Sequence, residues 1–231
     1  MNDRTLKATP RQNELDSLVV NIELTLISII QGVALYFLTE NSRRVLVELQ
    51  YIYWPYVVVG LLMIFNFWSR SILHTFTLIR WPLEFGHNFV YITCTLLEAV
   101  TFTQVDQPLH WYALQGAFSM MVWFLFRWDL GMIRRRINES RGEAARRLFS
   151  QVEKDQILNI AILMPATIAF CWIAFGAIYL WPRLFLGRGF HVFFAFFQAG
   201  VGLAYLIHGS IRSFNRSSVL VAQTRLEWSG D

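Results

Sequence analysis

Hydrophobic residues along this chain fall into six long runs, and the segments between the runs hold most of the charged residues. A helix needs roughly 20 residues to cross a hydrocarbon core of about 30 Å. Each run is about that long and carries its charges mainly near its ends. The pattern therefore predicts an all-α bundle of six transmembrane helices, which cover residues 18–38, 51–76, 84–105, 110–127, 157–181 and 190–211.

Composition agrees with a membrane protein and excludes several other classes. Hydrophobic residues make up 55% of the chain and charged residues 16%, whereas soluble domains average about 25% charged residues. The many aromatic residues exclude a disordered chain, and two cysteines are too few for a disulfide-stapled secreted domain. The net charge of +4 is too small to indicate a nucleic-acid partner.

Positive charge predicts the orientation of the helices. If the chain crosses a membrane at all six runs, sixteen of the 20 Lys and Arg residues lie on one side. Cytoplasmic loops retain positive charge during insertion. We therefore expect an integral protein of a bacterial inner membrane or an equivalent membrane, with two membrane segments (18–128 and 157–211), a cytoplasmic N-terminal segment (1–17), a basic cytoplasmic helical loop (129–156) and a cytoplasmic tail (212–231).

Polar side chains recur at helical spacing in the first and third runs. Residues three or four positions apart lie on the same face of a helix. Two such stripes on adjacent helices could line a path for ions, or they could form hydrogen bonds between packed helices, which contribute only about 0.6 kcal/mol per pair. The candidates for a pore are Asn21, Glu23, Thr25, Ser28 and Gln31 in the first run and Asn88, Thr95, Glu98 and Thr101 in the third.

Glu98 differs from the other members of these stripes because it is ionisable. It lies about two-thirds of the way along the third run, where a charged group is costly and usually faces a protein interior or a water path. No Lys or Arg lies at a similar depth in another run. Its carboxyl group is therefore expected either to be protonated or to meet water or a cation.

The basic segment 134–154 mixes Arg with Glu and predicts a helix. One interpretation is a solvated linker helix whose charge simply follows from the topology. The other is a site for anionic lipid headgroups or for a partner protein, because cations beside a membrane gain roughly 1 kcal/mol each near such a surface. The candidates for that site are Arg134, Arg135, Arg136, Arg146 and Arg147.

Histidines at one depth are the weak candidates for a metal or haem site. They are His74, His87 and His208. The chain has no HExxH or other closely spaced pair of ligands, and an interfacial histidine is ordinary in a membrane protein. It also has no GxSxG motif, P-loop or GxGxxG motif. We therefore expect a protein that is not an enzyme and that holds no cofactor.

The stretch 67–80 reads FWSRSILHTFTLIR, and the third run follows it with an Asn near its start. This arrangement resembles the second and third helices of the endolysosomal and bacterial six-helix potassium channels, and the resemblance implies a six-span fold that conducts potassium. The Arg-x-x-x-Phe-Ser-Asp motif that holds the pore helix of that family in place is missing, since 21–27 reads NIELTLI. The matching positions are Trp68, His74, Phe76, Ile79, Arg80 and Asn88.

These features predict an oligomeric cation channel in which the first or third helix faces water and a narrow apolar gate lies near Ile29 or Ile30. The expected partners are membrane lipids, including anionic ones, and either further copies of the chain or a larger membrane complex. The alternative is a non-catalytic scaffold or subunit of a larger membrane complex, in which the polar stripes are helix contacts. A further alternative is an intramembrane metal or haem protein.

Overall fold

The structure is a computed structural model that describes residues 10–78, 85–140 and 142–211. All regular structure within these ranges is helical, so the all-α prediction is confirmed. The elements are, in chain order, α1 (Pro10–Val47), a 3₁₀ turn (Tyr51–Tyr53), α2 (Trp54–Leu78), α3 (Phe85–Phe102), α4 (Pro108–Glu139), α5 (Glu143–Leu158), a π-helical segment (Asn159–Leu163), α6 (Met164–Leu180), α7 (Pro182–Phe185), α8 (His191–Tyr205) and a second π-helical segment (Leu206–Ile211).

Four helical stretches of the described chain are long and apolar enough to cross a membrane. Neither α3 nor α4 provides one of them, because polar residues such as Glu98 and Gln115 lower the mean hydropathy of these helices. The structure thus gives an all-helical protein with four candidate spans, and six crossings stay a prediction. The four stretches are Ser17–Val47, Tyr51–Leu73, Ala145–Leu180 and His191–Gly209.

Helix packing joins α3 to both α1 and α4. α4 contacts α3, α5 and α6, while α1 contacts α2 and α3, and α8 contacts α2. We use the name basic end for the end of the bundle where α2 ends, α3 begins and α4 meets α5. The opposite end is the distal end. Most of the buried Asp, Glu and His side chains lie near the basic end, as described below.

The segment 129–156 is an antiparallel helical hairpin. α4 continues to Glu139, and α5 begins at Glu143 and packs back along it. Apolar side chains join the two helices, and α5 then continues through the first π-helical segment into α6. The joining residues are Ile133, Ala145, Leu148, Phe149 and Val152.

Two apolar clusters fill the bundle. The proximal core lies toward the basic end and consists of Ile27, Phe67, Tyr91, Cys94, Phe118, Val122, Leu125 and Phe126. The distal core lies toward the other end and consists of Ala34, Leu38, Val45, Tyr56, Val59, Ile64, Phe102, Val105, Trp111, Tyr112, Ala174, Ile178 and Ala195. The chemistry of the interior lies around and between these two cores.

Gly60 allows α1 and α2 to approach closely, and this contact gives a first testable prediction. A Cβ at Gly60 would lie 2.7 Å from Leu38 Cδ1 and 3.3 Å from Phe102 Cε1. Gly60→Ala is therefore expected to destabilise the bundle by about 1–3 kcal/mol, as overpacking does. The thermal midpoint in detergent measures the effect. Gly32→Ala is the matched control, because a Cβ at Gly32 meets nothing within 4 Å, and equal midpoints for the two variants would contradict the prediction.

Candidate functional site

α1 carries polar side chains on two faces, and only one of them points into the bundle. Glu23 and Gln31 are each only 5% exposed, and they lie on the face that also buries Ile27. Asn21, Thr25 and Ser28 are exposed on the other face. The stripe expected to line a path together with α3 is thus divided.

The outward-facing hydroxyls of α1 already have hydrogen-bond acceptors. The Thr25 hydroxyl donates to the Asn21 carbonyl oxygen at 2.8 Å, and the Ser28 hydroxyl donates to the Leu24 carbonyl oxygen at 2.8 Å. Hydroxyls bonded to their own helix can face lipid at little cost. This local bonding explains why the polar spacing of α1 did not reveal its buried face.

The polar residues of α3 lie on one buried face. Thr95, Glu98 and Thr101 are between 0% and 3% exposed. The Thr95 and Thr101 hydroxyls donate to the Tyr91 and Leu97 carbonyl oxygens of their own helix. The Glu98 carboxyl group forms no hydrogen bond within α3. Its hydrogen-bond donor comes from another helix, namely Gln31 of α1.

Glu98 and Gln31 meet midway between the two ends of the bundle. Gln31 Nε2 donates to Glu98 Oε2 at 3.5 Å, which is a long hydrogen bond. Glu98 Oε1 and Gln31 Oε1 are both buried, and neither has a hydrogen-bond partner in the described chain. A carboxyl group that is fully buried with one oxygen unpartnered can exchange a proton or accept a cation or a water molecule.

A second contact joins α1 and α3 nearer the basic end. Asn88 Nδ2 donates to Glu23 Oε1 at 2.7 Å. Glu23 and Glu98 therefore lie on the same α1–α3 interface, at two depths. The Tyr91 hydroxyl lies along the same face of α3 as Asn88 and Glu98, and it is buried without a hydrogen-bond partner among the described residues.

Four helices contribute to a buried network at the basic end. His87 Nε2 lies 2.7 Å from Asp129 Oδ1, which joins α3 to α4. Gln156 of α5 donates to Asp129 Oδ2 at 3.5 Å and to the Phe126 carbonyl oxygen at 3.0 Å. Arg70 Nη2 of α2 donates to Gln156 Oε1 at 2.9 Å. This chain of contacts fixes the hairpin of α4 and α5 against α2 and α3.

A cavity of about 50 Å³ lies between this network and the Glu23–Asn88 contact. That volume is large enough to hold water. Its lining is polar toward the basic end and apolar toward the proximal core, where the Tyr91 ring stacks on Phe67 at 5.1 Å. The polar residues that line the cavity are Glu23, Arg70, Ser71, Thr75, His87, Asn88, Tyr91, Asp129 and Gln156.

The distal core closes the interior on the other side of Glu98. The Tyr56 hydroxyl lies 2.9 Å from His191 Nδ1, and the Tyr53 ring stacks on that of His191 at 5.9 Å. Trp111 and Tyr56 pack edge to face at 5.5 Å. The polar interior therefore ends in packed aromatic rings rather than in an opening.

Among the described residues, neither His87 nor His208 belongs to a group that could hold a metal ion. His87 pairs with Asp129, and His208 is exposed in the second π-helical segment, which follows α8. The side chain of His74 lies outside the described part of the structure. Within that part, no group of three His, Cys, Asp or Glu side chains could hold a metal ion.

The basic residues of the hairpin mostly contact neighbouring groups. Arg134 pairs with Glu153 at 2.8 Å, Arg136 with Glu139 at 3.2 Å and Arg147 with Glu143 at 2.5 Å. Arg146 Nε donates to the Ser140 carbonyl oxygen at 3.0 Å. The remaining candidate, Arg135, likewise has an interaction of its own, and its side chain is exposed and lines a groove on α4.

Sequence reasoning missed three members of the basic-end network, namely Arg70, Asp129 and Gln156. Each lies within a few residues of a predicted helix end, where polar residues are ordinary. Asp129 gave the clearest signal, since it is the acidic residue next to a long apolar run of α4. Its partners come from α3 and α5, which local patterns cannot pair.

The comparisons with known proteins identify no relative. No protein-family model matches this chain, and no curated protein or solved structure is significantly similar to it. The resemblance to six-helix potassium channels therefore stays a prediction from the stretch 67–80 and Asn88, and the function has to be argued from the interior of the bundle alone.

Proposed function

We propose that this protein is an integral membrane protein that conducts a cation through the interior of its own bundle, between α1 and α3. One observation carries the proposal: the Glu98 carboxyl group is fully buried midway along the bundle and contacts only the Gln31 amide as a polar partner among the described residues. Ionisable groups at such depth mark ion paths and proton relays in membrane proteins.

The path begins at the cavity of the basic end. Glu23 and Asp129 line it together with Arg70 and His87, and the two carboxylates are the groups that attract a cation into this low-dielectric space. From there the cation passes the Phe67–Tyr91 ring stack and reaches Glu98. The cavity admits water-sized species, so a proton is the cation that this interior accepts without widening.

The gate of this path is assigned to the distal core. The sequence suggested Ile29 or Ile30. Ile29 is 61% exposed on the outside of α1 and does not face the path, whereas Ile30 packs against the proximal core. The Tyr56, Phe102 and Trp111 rings close the interior beyond Glu98. Apolar constrictions exclude ions because water does not fill them, and conduction therefore requires these rings to separate.

Assembly and location follow from the same proposal. A path inside one chain does not need an oligomer, but the exposed face of α1 is compatible with the homo-oligomer or larger complex expected from the sequence. The excess of Lys and Arg at the basic end favours a cytoplasmic location for that end and for both termini. The membrane would be a bacterial inner membrane or an equivalent one.

Flux through liposomes tests the proposal directly. The purified chain is reconstituted, and proton, potassium and sodium gradients are imposed separately against protein-free vesicles. Proton flux above the control is the expected result, and potassium flux would instead favour the channel family that the stretch 67–80 resembles. Silence in all three gradients would overturn the proposal and favour the alternative, a scaffold or subunit of a larger membrane complex.

A further inference from the structure

An exposed groove runs along α4 on the surface of the bundle, outside the proposed cation path. Its volume is about 300 Å³. All of its lining residues belong to α4, near the point where the apolar part of the helix gives way to its basic end. They are Phe124, Arg127, Trp128, Gly131, Met132 and Arg135.

Gly131 forms the floor of the groove. A Cβ at this position would meet nothing within 4 Å, so the space above the backbone is open. Arg127 and Arg135 lie four residues before and four residues after it, which places all three on one face of the helix. The two arginines are about 12 Å apart along the axis, and an anionic group at Gly131 lies within reach of both long side chains.

Arg127 differs from most arginines of the hairpin in its contacts. Its guanidinium group lies 5.2 Å from the centre of the Trp123 ring, and no carboxylate of the described chain pairs with it. Arg134, Arg136 and Arg147 each have such a carboxylate. A guanidinium held over a ring keeps N–H donors for a phosphate, which it binds better than an ammonium does.

The groove continues into an exposed apolar stripe toward the distal end. Trp128 packs edge to face on Phe124 at 6.2 Å, and Met120 lies one turn further along the same face. These side chains are between 37% and 49% exposed. Basic groups at one end and apolar groups at the other match the two parts of a phospholipid, with a tryptophan at the level of the headgroup.

We propose that this groove is a binding site for an anionic phospholipid. The phosphate lies over Gly131 between Arg127 and Arg135, and an acyl chain lies along Trp128, Phe124 and Met120. The site is on the outer surface of α4 and does not depend on conduction through the interior.

Native mass spectrometry tests the site by counting the lipids that the protein retains. The full chain in mild detergent is mixed with phosphatidylglycerol or phosphatidylcholine at equal concentration. Retention of phosphatidylglycerol is expected to exceed that of phosphatidylcholine. Arg127→Gln removes a phosphate donor, and Gly131→Phe fills the groove. Each variant is expected to lower phosphatidylglycerol retention at least threefold.

Lys154→Gln is the matched control, because it removes one exposed positive charge from α5 of the same hairpin without touching the groove, and its lipid count is expected to equal that of the parent. The open space at Gly131 lets Gly131→Phe fold, which an unchanged thermal midpoint without lipid verifies. Three results would each overturn the proposal: equal retention of the two lipids, displacement of phosphatidylglycerol by inorganic phosphate alone, or a changed subunit number in Gly131→Phe with an unchanged lipid count.

Discussion

Glu98→Gln is expected to lower cation flux through this protein at least tenfold. Gln has the size of Glu and can still accept the hydrogen bond from Gln31, so the packing between α1 and α3 is retained. The variant removes only the ionisable group midway along the path. A tenfold loss of rate corresponds to about 1.4 kcal/mol of barrier, which is small compared with the cost of placing a cation in this interior without a carboxylate.

Two further variants separate this role from a structural one. Glu40→Gln is the matched control, since Glu40 lies exposed on α1 and its loss is expected to leave flux unchanged. Glu98→Asp keeps the acid and is expected to retain more flux than Glu98→Gln. Liposome flux, normalised to the amount of folded protein, checks all three. If Glu98→Gln conducts as well as the parent does, Glu98 has no part in conduction.

Asp129→Ala is expected to produce the largest loss of stability, about 3 kcal/mol. Asp129 is 7% exposed and accepts from both His87 and Gln156. Its removal leaves two buried polar groups of α3 and α5 without this acceptor, and each such group costs about 1–3 kcal/mol. The loss weakens the attachment of the hairpin to α2 and α3. Denaturation of the purified protein in mixed detergent micelles measures the change in the free energy of unfolding.

The matched control for this prediction is Asp106→Ala. Asp106 pairs with Arg44 at the distal end, and the Arg44 side chain is 62% exposed. Exposed ion pairs contribute about 0–1 kcal/mol, so a loss in that range is expected. If Asp129→Ala unfolds like Asp106→Ala, the His87–Asp129–Gln156 network does not stabilise the bundle.

The two polar stripes show how far sequence reasoning reaches in an apolar helix. In α3 the spacing of Asn88, Thr95 and Glu98 places them on one face, and a carboxylate can hardly face lipid, so that face is buried. In α1 the same spacing rule groups Thr25 with Ser28, yet these residues face outward. Hydroxyls satisfied by their own helix carry no information about which side is buried, because lipid and protein interior are equally apolar.

The basic-end network lies beyond what the sequence predicts for a different reason. Arg70, Asp129 and Gln156 belong to three helices, and their contacts depend on how α5 folds back on α4. Spacing within one helix has no access to that geometry. The segment 129–156 was predicted as a basic helical loop, either a solvated linker helix or a site for lipid headgroups or a partner. Neither interpretation included its inner side, which carries the glutamine and the apolar residues that attach it to the bundle.

The first π-helical segment (Asn159–Leu163) sets the rotational phase between α5 of the hairpin and α6, which follows it. Gln156 and Cys171 both face α4. An α-helix turns by about 100° per residue, so an uninterrupted helix would place residue 171 about 60° past the direction of residue 156. The wider π turn rotates less per residue and reduces this excess. One stretch of chain can therefore present two aligned faces to the same neighbour. Inserting or deleting one residue within 159–163 would turn α6 away from α4 while leaving α5 in place.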